Sequence, residues 1–266
     1  MLKDITLGQY FPGNSIAHKL DPRTKILLVT LYIIALFSAK GWMGYAVMAV
    51  TLAACVKVSH VGLRALVRGL KPLVFIIAFT GILNMFFTPD THYLWEWGIL
   101  RVSVKGIENA LFMVIRIMLL VMGTFLMTYT TSPIRLTDGL ESLLNPLKKI
   151  HVPVHELAMM MAIALRFIPT LIEETDKIMS AQKARGADFD SGNIFQKAKA
   201  LVPILVPLFI SAFRRADELA TAMECRCYHG GEGRTKLHVL KYQRRDYVAL
   251  AGGVVILVLV VVLRRL

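Results

Sequence analysis

Acidic residues are scarce in this chain: 18 Asp and Glu stand against 31 Lys and Arg, and charged residues make up 18% of its 266 positions. Soluble domains average about 25%, so an ordinary water-soluble fold is a poor match. Cysteine is rarer still. Cys55, Cys225 and Cys227 do not make a disulfide framework, and reduced thiols facing cytosol are the plain expectation. The dipeptide Gly-Lys is missing altogether, which removes the phosphate-cradling P-loop and with it the usual route to ATP hydrolysis. "HELAM" (His155–Met159) lacks the second histidine of a zinc protease, with Met159 in its place. The first twenty residues are polar, include Pro12 and Gly13, and do not read as a cleavable signal.

Apolar residues are what the chain has in quantity, at 56% with a net charge of +13, a mean hydropathy of +0.58 and a pI near 9.8. A nucleic-acid binder is one reading of that basicity, but the lysines and arginines flank apolar runs and form no continuous stripe. An integral membrane protein with basic cytoplasmic surfaces fits better. Five stretches are expected to cross a bilayer: Thr24–Ala39, Trp42–Val58, Pro72–Thr88, Gly106–Tyr129 and Tyr247–Leu263. Helices of roughly 17 to 24 residues reach ~25–36 Å, enough for a hydrocarbon core. Lys19, Arg23 and Lys25 precede the first stretch, and Lys57, Arg64, Arg68 and Lys71 join the second to the third. Those ends are therefore expected to be cytoplasmic. Gly62–Lys71 reads as a basic amphipathic connector touching lipid headgroups. Tyr93, Trp95 and Trp97 then suit an outer interfacial belt. Arg264 and Arg265 argue the other way, although late charges constrain topology weakly.

Between the fourth and fifth stretches lies a long segment of both charge signs. A short amphipathic helix is expected over Thr137–Lys149, with Pro133 near its start. Long helices are expected from Pro153 to Ala184 and from Asn193 to Cys225, interrupted by Pro169 and by Pro203 and Pro207. The organisation expected is a membrane domain of four spans over 1–129, a cytoplasmic module over 130–245 and a last span over 246–266. Leu201–Ala212 is apolar but too short to cross a bilayer, and reads as a helix lying on protein or on the membrane face. Arg116 falls mid-span, where a charge is costly; Asn84 is one candidate partner. The methionines at Met159–Met161 and Met113–Met127 read as adaptable packing.

One helical phrase is written twice. Thr175–Ala181 matches Ala216–Ala222, and in each copy an arginine, Arg185 or Arg226, follows an aspartate by nine residues. Nine residues at 100° put Asp176 and Arg185 on opposite helix faces, as with Asp217 and Arg226. The positions three and four before each arginine hold Gln182 and Ala181, and Met223 and Ala222, so no acidic mate exists at pairing distance. An arginine in a last helical turn also favours the negative end of the helix, and Gly186 suits the residue just beyond it. That accounts for one copy. Two copies in the same register suggest a paired docking device, each arginine offered to an acidic pocket on one of two similar partners.

Several longer strings stand beside this repeat: "HKLDPRTK" (His18–Lys25), "TTSP" (Thr130–Pro133), "ALRFIPTLIEE" (Ala164–Glu174), "AQKARGADF" (Ala181–Phe189), "AKALVPILVPLF" (Ala198–Phe209), "RRADELATAME" (Arg214–Glu224) and "GGEGRT" (Gly230–Thr235). Together they resemble the transmembrane T component (EcfT) of energy-coupling factor (ECF) transporters over nearly the whole length. The resemblance implies an all-α integral membrane protein of L-like shape, with long cytoplasmic amphipathic coupling helices. It implies a non-catalytic scaffold of an ABC-type importer of vitamins or metals, multi-pass in the plasma membrane of a prokaryote. The partners implied are a heterodimer of two ABC-type ATPase subunits, a membrane-embedded substrate-binding S component and the lipid bilayer, with no nucleic acid. ATP and Mg are used by the partner subunits, and no cofactor is implied for this chain.

The family's coupling helices carry two Ala-Arg-Gly signatures that dock the ATPases. The first is complete as Ala184-Arg185-Gly186. The second reads Cys225-Arg226-Cys227, where cysteine takes a position that glycine's freedom at positive φ would suit better. Met160, Ala164, Pro169, Pro203 and Pro207 are the expected contacts for the S component. Two other classes compete. A stand-alone permease needs polar groups clustered at mid-membrane, and only Arg116 and Asn84 approach that. A membrane metal enzyme would use Cys225, Cys227 and His229, at most three ligands in five residues.

Overall fold

The computed structural model describes residues 10–88, 93–97, 100–187, 189, 193–231 and 239–265. It is helical almost throughout. The chain divides into two compact units, one of Gly8–Ser142 with Leu240–Leu266 and one containing Leu143–Val239.

The first unit holds α1 (Ile16–Lys19), α2 (Pro22–Ser38), α3 (Gly41–Ser59), α4 (Leu63–Leu70), α5 (Val74–Phe87), α6 (Val104–Thr130), α7 (Pro133–Leu144) and α10 (Arg244–Leu263). The expected apolar stretches thus appear as α2, α3, α5, α6 and α10 with ends shifted by a few residues. A 3-10 turn, Lys71–Leu73, joins α4 to α5. Among the described residues five helices are long and apolar enough to cross a membrane: Gly41–Ser59, Leu63–Phe87, Val104–Thr130, Val154–Ala184 and Arg244–Leu263. This is an all-α membrane protein. Two points differ from the sequence reading. At 17 residues α2 is not among those five, and its ~26 Å is spent packing against α10 and α6. Val154–Ala184 has the length and composition of a span although its sequence reads as cytoplasmic.

A short antiparallel hairpin, β1 (Tyr93–Trp97) with β2 (Leu100–Ser103), connects α5 to α6, with Trp97 opposite Leu100. The Tyr93, Trp95 and Trp97 rings, expected at an outer interface, lie outside the described side chains. Ser103 ends the hairpin and caps α6, its hydroxyl accepting from the Gly106 N–H at 2.9 Å.

Leu36, Tyr45, Met48, Leu66, Leu119 and Val260 form the centre of the core. Gly123 lets α6 approach α2 closely: a Cβ there would stand 2.5 Å from the Tyr32 ring, whose hydroxyl donates to the Leu119 carbonyl at 3.0 Å. Around this core the helices turn large apolar side chains outward, Phe75 at 79% and Val255 at 65% exposure among them. In water that surface would aggregate; against lipid it is the expected exterior. In α4 the basic connector is realised as a helix that buries Leu66 and Leu70 and turns Arg64 and Arg68 outward.

The string His18–Lys25 ties the helix ends together. The Phe11 N–H donates to the Tyr129 carbonyl at 3.0 Å. His18 donates from Nε2 to the Phe11 carbonyl at 3.0 Å, which leaves Nδ1 to accept from the Ser15 hydroxyl at 2.6 Å. Asp21 caps α2 ahead of Pro22 and pairs with Arg23 at 3.1 Å. The Asp246 carboxylate, 1% exposed, accepts from the Asp21 N–H at 2.9 Å and from the Gln243 N–H at 2.7 Å. Lys25 donates to the Thr130 carbonyl and the Thr131 hydroxyl at 2.8 and 2.9 Å. Few contacts here are apolar. The string stitches α2, α6 and α10 at one end of the bundle.

Arg116 does not pair with Asn84, whose amide donates back to the Thr80 carbonyl of its own helix. Its Nε donates to the Tyr45 hydroxyl at 2.9 Å, and the guanidinium lies 5.6 and 5.7 Å from the centres of the Phe37 and Tyr45 rings. Tyr45 stacks on Phe112. The charge is thus held by an aromatic cage with one hydrogen-bond acceptor. Tyr45→Phe is expected to lower stability by about 1.5–3 kcal/mol, read as a drop in the thermal unfolding midpoint of purified protein.

The second unit contains a 3-10 turn, Asn145–Ile150, and two 31-residue helices, α8 (Val154–Ala184) and α9 (Ile194–Glu224). At 1.5 Å per residue each is about 46 Å long. Asn193 and Gln196 close a capping box at the start of α9. Pro169, Pro203 and Pro207 lie inside these helices without ending them. The short amphipathic helix expected at Thr137–Lys149 is instead α7 followed by the 3-10 turn.

Candidate functional site: two matched helix ends

The C-termini of α8 and α9 are built by the same hydrogen bonds, forty-one residues apart. After α8, the Gly186 N–H donates to the Lys183 carbonyl and the Ala187 N–H to the Gln182 carbonyl, both at 3.0 Å. After α9, the Cys227 N–H donates to the Glu224 carbonyl at 2.8 Å and the Tyr228 N–H to the Met223 carbonyl at 3.1 Å. Both are Schellman closures, which require a left-handed residue just past the cap. Gly186 supplies it at φ +88° and Cys227 at φ +56°. The second signature therefore keeps the turn despite losing glycine.

Each closure sets its arginine immediately before the left-handed residue, with Ala184 or Cys225 preceding it. Arg185 and Arg226 are exposed, and neither guanidinium has a hydrogen bond or ion pair to another described residue. Cys225 and Cys227 are free and exposed. Among the described residues no group of three His, Cys, Asp or Glu could hold a metal ion.

A Cβ on Gly186 would meet nothing within 4 Å, so substitution there costs only the backbone strain. Gly186→Ala is expected to weaken its closure by about 1 kcal/mol, and Cys227→Gly to strengthen the other by a similar amount. Amide hydrogen exchange at Ala187 and Tyr228 checks this: protection should fall about fivefold at the first and rise at the second.

Between the two ends the helices meet. Arg215 pairs with Glu174 at 3.0 Å, and Gln182 Nε2 donates to the Pro203 carbonyl at 3.5 Å. Proline at 207 has no N–H, so the Pro203 carbonyl lacks its helical donor, and the Gln182 amide fills that place. From one contact to the next the numbering rises on α8 and falls on α9; the helices run in opposite senses past each other. Arg185 stands eleven residues beyond Glu174, and Arg226 eleven beyond Arg215. Roughly 16 Å of helix thus separates each arginine from the Glu174–Arg215 pair, in opposite directions. Glu174 and Arg215 were not singled out in the sequence. The signal was present, since they occupy equivalent positions of the forty-one-residue repeat with opposite charges.

The flanks of these helices are apolar and uncovered. Among the described side chains only Val154 on α8 and Ile204 on α9 are buried, while Leu157, Met160, Leu205, Phe209 and Phe213 are exposed. Ala164, Pro169, Pro203 and Pro207 are exposed as well. A surface of this kind is completed by another body, protein or lipid.

The family model described as CbiQ, cobalt transport protein, matches residues 13–237. The chain is 52% identical over 99% of its length to the energy-coupling factor transporter transmembrane protein EcfT of Ruminiclostridium cellulolyticum, covering 98% of that protein. The chain belongs to the EcfT family. Relatives of the same name in Clostridium kluyveri and Bacillus subtilis are 55% and 46% identical, over 100% and 99% of this chain and 98% and 100% of their own. Membership in the EcfT family makes the chain a transmembrane component of ECF transporters. As an EcfT-type subunit it is a membrane transport protein, and the strings that carried the resemblance all fall within the matched residues.

Proposed function

We propose that the chain transmits ATPase work to a membrane-embedded S component during vitamin or metal import, without catalysing a reaction itself. In this reading 1–129 and 246–266 span the membrane and 130–245 is a coupling module on the cytoplasmic side, as is the N-terminus. Ala184-Arg185-Gly186 and Cys225-Arg226-Cys227 each dock one of two ABC-type ATPases, which bind the ATP and Mg. The S component rests on the apolar flanks around Met160, Ala164, Pro169, Pro203 and Pro207.

The observation that carries the reading is the pair of exposed arginines, their guanidinium groups unpartnered among the described residues and presented by matching closures at equal distances from the Glu174–Arg215 pair. A guanidinium held at a helix cap is oriented for bidentate bonding to a carboxylate in a groove. Two such groups on antiparallel helices face two separate partners. Stiffness matters too, because a nucleotide-driven movement reaches a third body only through elements that do not bend.

Co-expression with both ATPases tests it. Arg185→Glu is expected to detach one ATPase and leave the other, and to reduce uptake. Wild-type recovery of both ATPases with unchanged uptake would reject the docking role.

A further inference from the structure

Among α2, α3, α6 and α10 lies a cavity of about 670 Å³, within the roughly 300–1,000 Å³ of ligand pockets. It belongs wholly to the first unit and shares no residue with the arginine ends. Its wall is mostly hydrocarbon, although it also includes the Cys55 thiol and the Tyr32 and Thr51 side chains, whose hydroxyls are spent on backbone carbonyls. Lys25 and Arg245 stand at one mouth, and the lining includes no carboxylate. From Lys25 to Ala35 along α2, and from Arg245 to Ile256 along α10, the lining runs ten or eleven residues, about 15–16 Å. That is half of a ~30 Å hydrocarbon core: the depth of one leaflet.

The mouth is short of negative charge. Lys25 spends two donors on Thr130 and Thr131 and keeps a third. Among the described residues Arg245 bonds only to the neutral Gln243 amide oxygen, through Nε and Nη2. Asp246, the adjacent carboxylate, is buried and occupied by two backbone N–H groups. On the wall, Gly252 faces open space, with nothing within 4 Å of where its Cβ would be.

The geometry points to a binding site for an anionic phospholipid, its acyl chain in the cavity and its phosphate at Lys25 and Arg245. An apolar slot one leaflet deep with cations at the headgroup level matches such a lipid in length and in charge order. A water-soluble phosphate has no use for the hydrocarbon wall, and a neutral lipid has none for the two cations. The site is independent of how the arginine ends are used.

Native mass spectrometry of delipidated full-length protein tests this with phosphatidylglycerol and phosphatidylcholine of the same acyl chains. Wild type is expected to retain one phosphatidylglycerol at least tenfold more tightly than phosphatidylcholine. Arg245→Gln should erase that preference while acyl binding persists. Gly252→Phe should abolish retention of both lipids, whereas Gly252→Ala should behave as wild type. Equal retention of the two lipids by wild type, full displacement by inorganic phosphate, or undiminished binding in Gly252→Phe would each overturn the assignment.

Discussion

Reversing charge at both Arg185 and Arg226 is expected to strip both ATPases from the complex and abolish uptake. Truncating one partner of a buried charge pair costs about 2–5 kcal/mol, and a glutamate facing an acidic groove adds repulsion. Each single reversal should lower retention of its own ATPase about a hundredfold or more. Because the two arginines sit on opposite arms and share no described partner, the effects should add within about 0.5 kcal/mol. Arg→Lys at either site should give a smaller loss, since lysine keeps the charge and lacks the planar fork. Quantifying the two ATPases that co-purify with each variant checks all of these. Loss of both from a single reversal would mean that the two ends do not act separately.

The second large effect is expected at Asp246, in the other unit from the arginines. Asp246→Ala leaves the buried Asp21 N–H with no acceptor, at about 1–3 kcal/mol, and also removes the acceptor of the Gln243 N–H, which lies at an exposed residue. The thermal midpoint of purified protein should fall by about 2–12 °C, from roughly 2–4 °C per kcal/mol in chains of this size. Asp246→Asn keeps one acceptor oxygen and should lose about half as much. Because the carboxylate joins α10 to the start of α2, unfolding in Asp246→Ala should begin at the C-terminal helix. Protease exposure around Tyr247 would show it.

The long helices were legible because a long apolar run has few alternatives, and because residues such as Asn193 and Pro133 mark starts. α8 and α9 end within a residue of expectation because the duplicated phrase carries its own stop. Other features were hidden because they depend on tertiary geometry. Arg116 selects Tyr45, seventy-one residues away, over the nearer-seeming Asn84, whose amide is satisfied within its own helix. Cysteine's left-handed backbone at 227 follows from the hydrogen bonds that close the turn, which no propensity reveals. The role of His18–Lys25 as a stitch across three helices also needed Asp246 in place, a residue more than two hundred positions away.

The ion pair where α8 and α9 meet bears on how that unit moves. Glu174 and Arg215 are partly solvated, at 21% and 36% exposure, and a contact of this kind is worth only about 0–1 kcal/mol. It is one of two ties between the helices; the other, the Gln182 amide on the Pro203 carbonyl, lies about 12 Å further along α8. Forces applied to the two tips in opposite directions therefore load two weak ties spaced along the pair, and turning one helix past the other requires both to give.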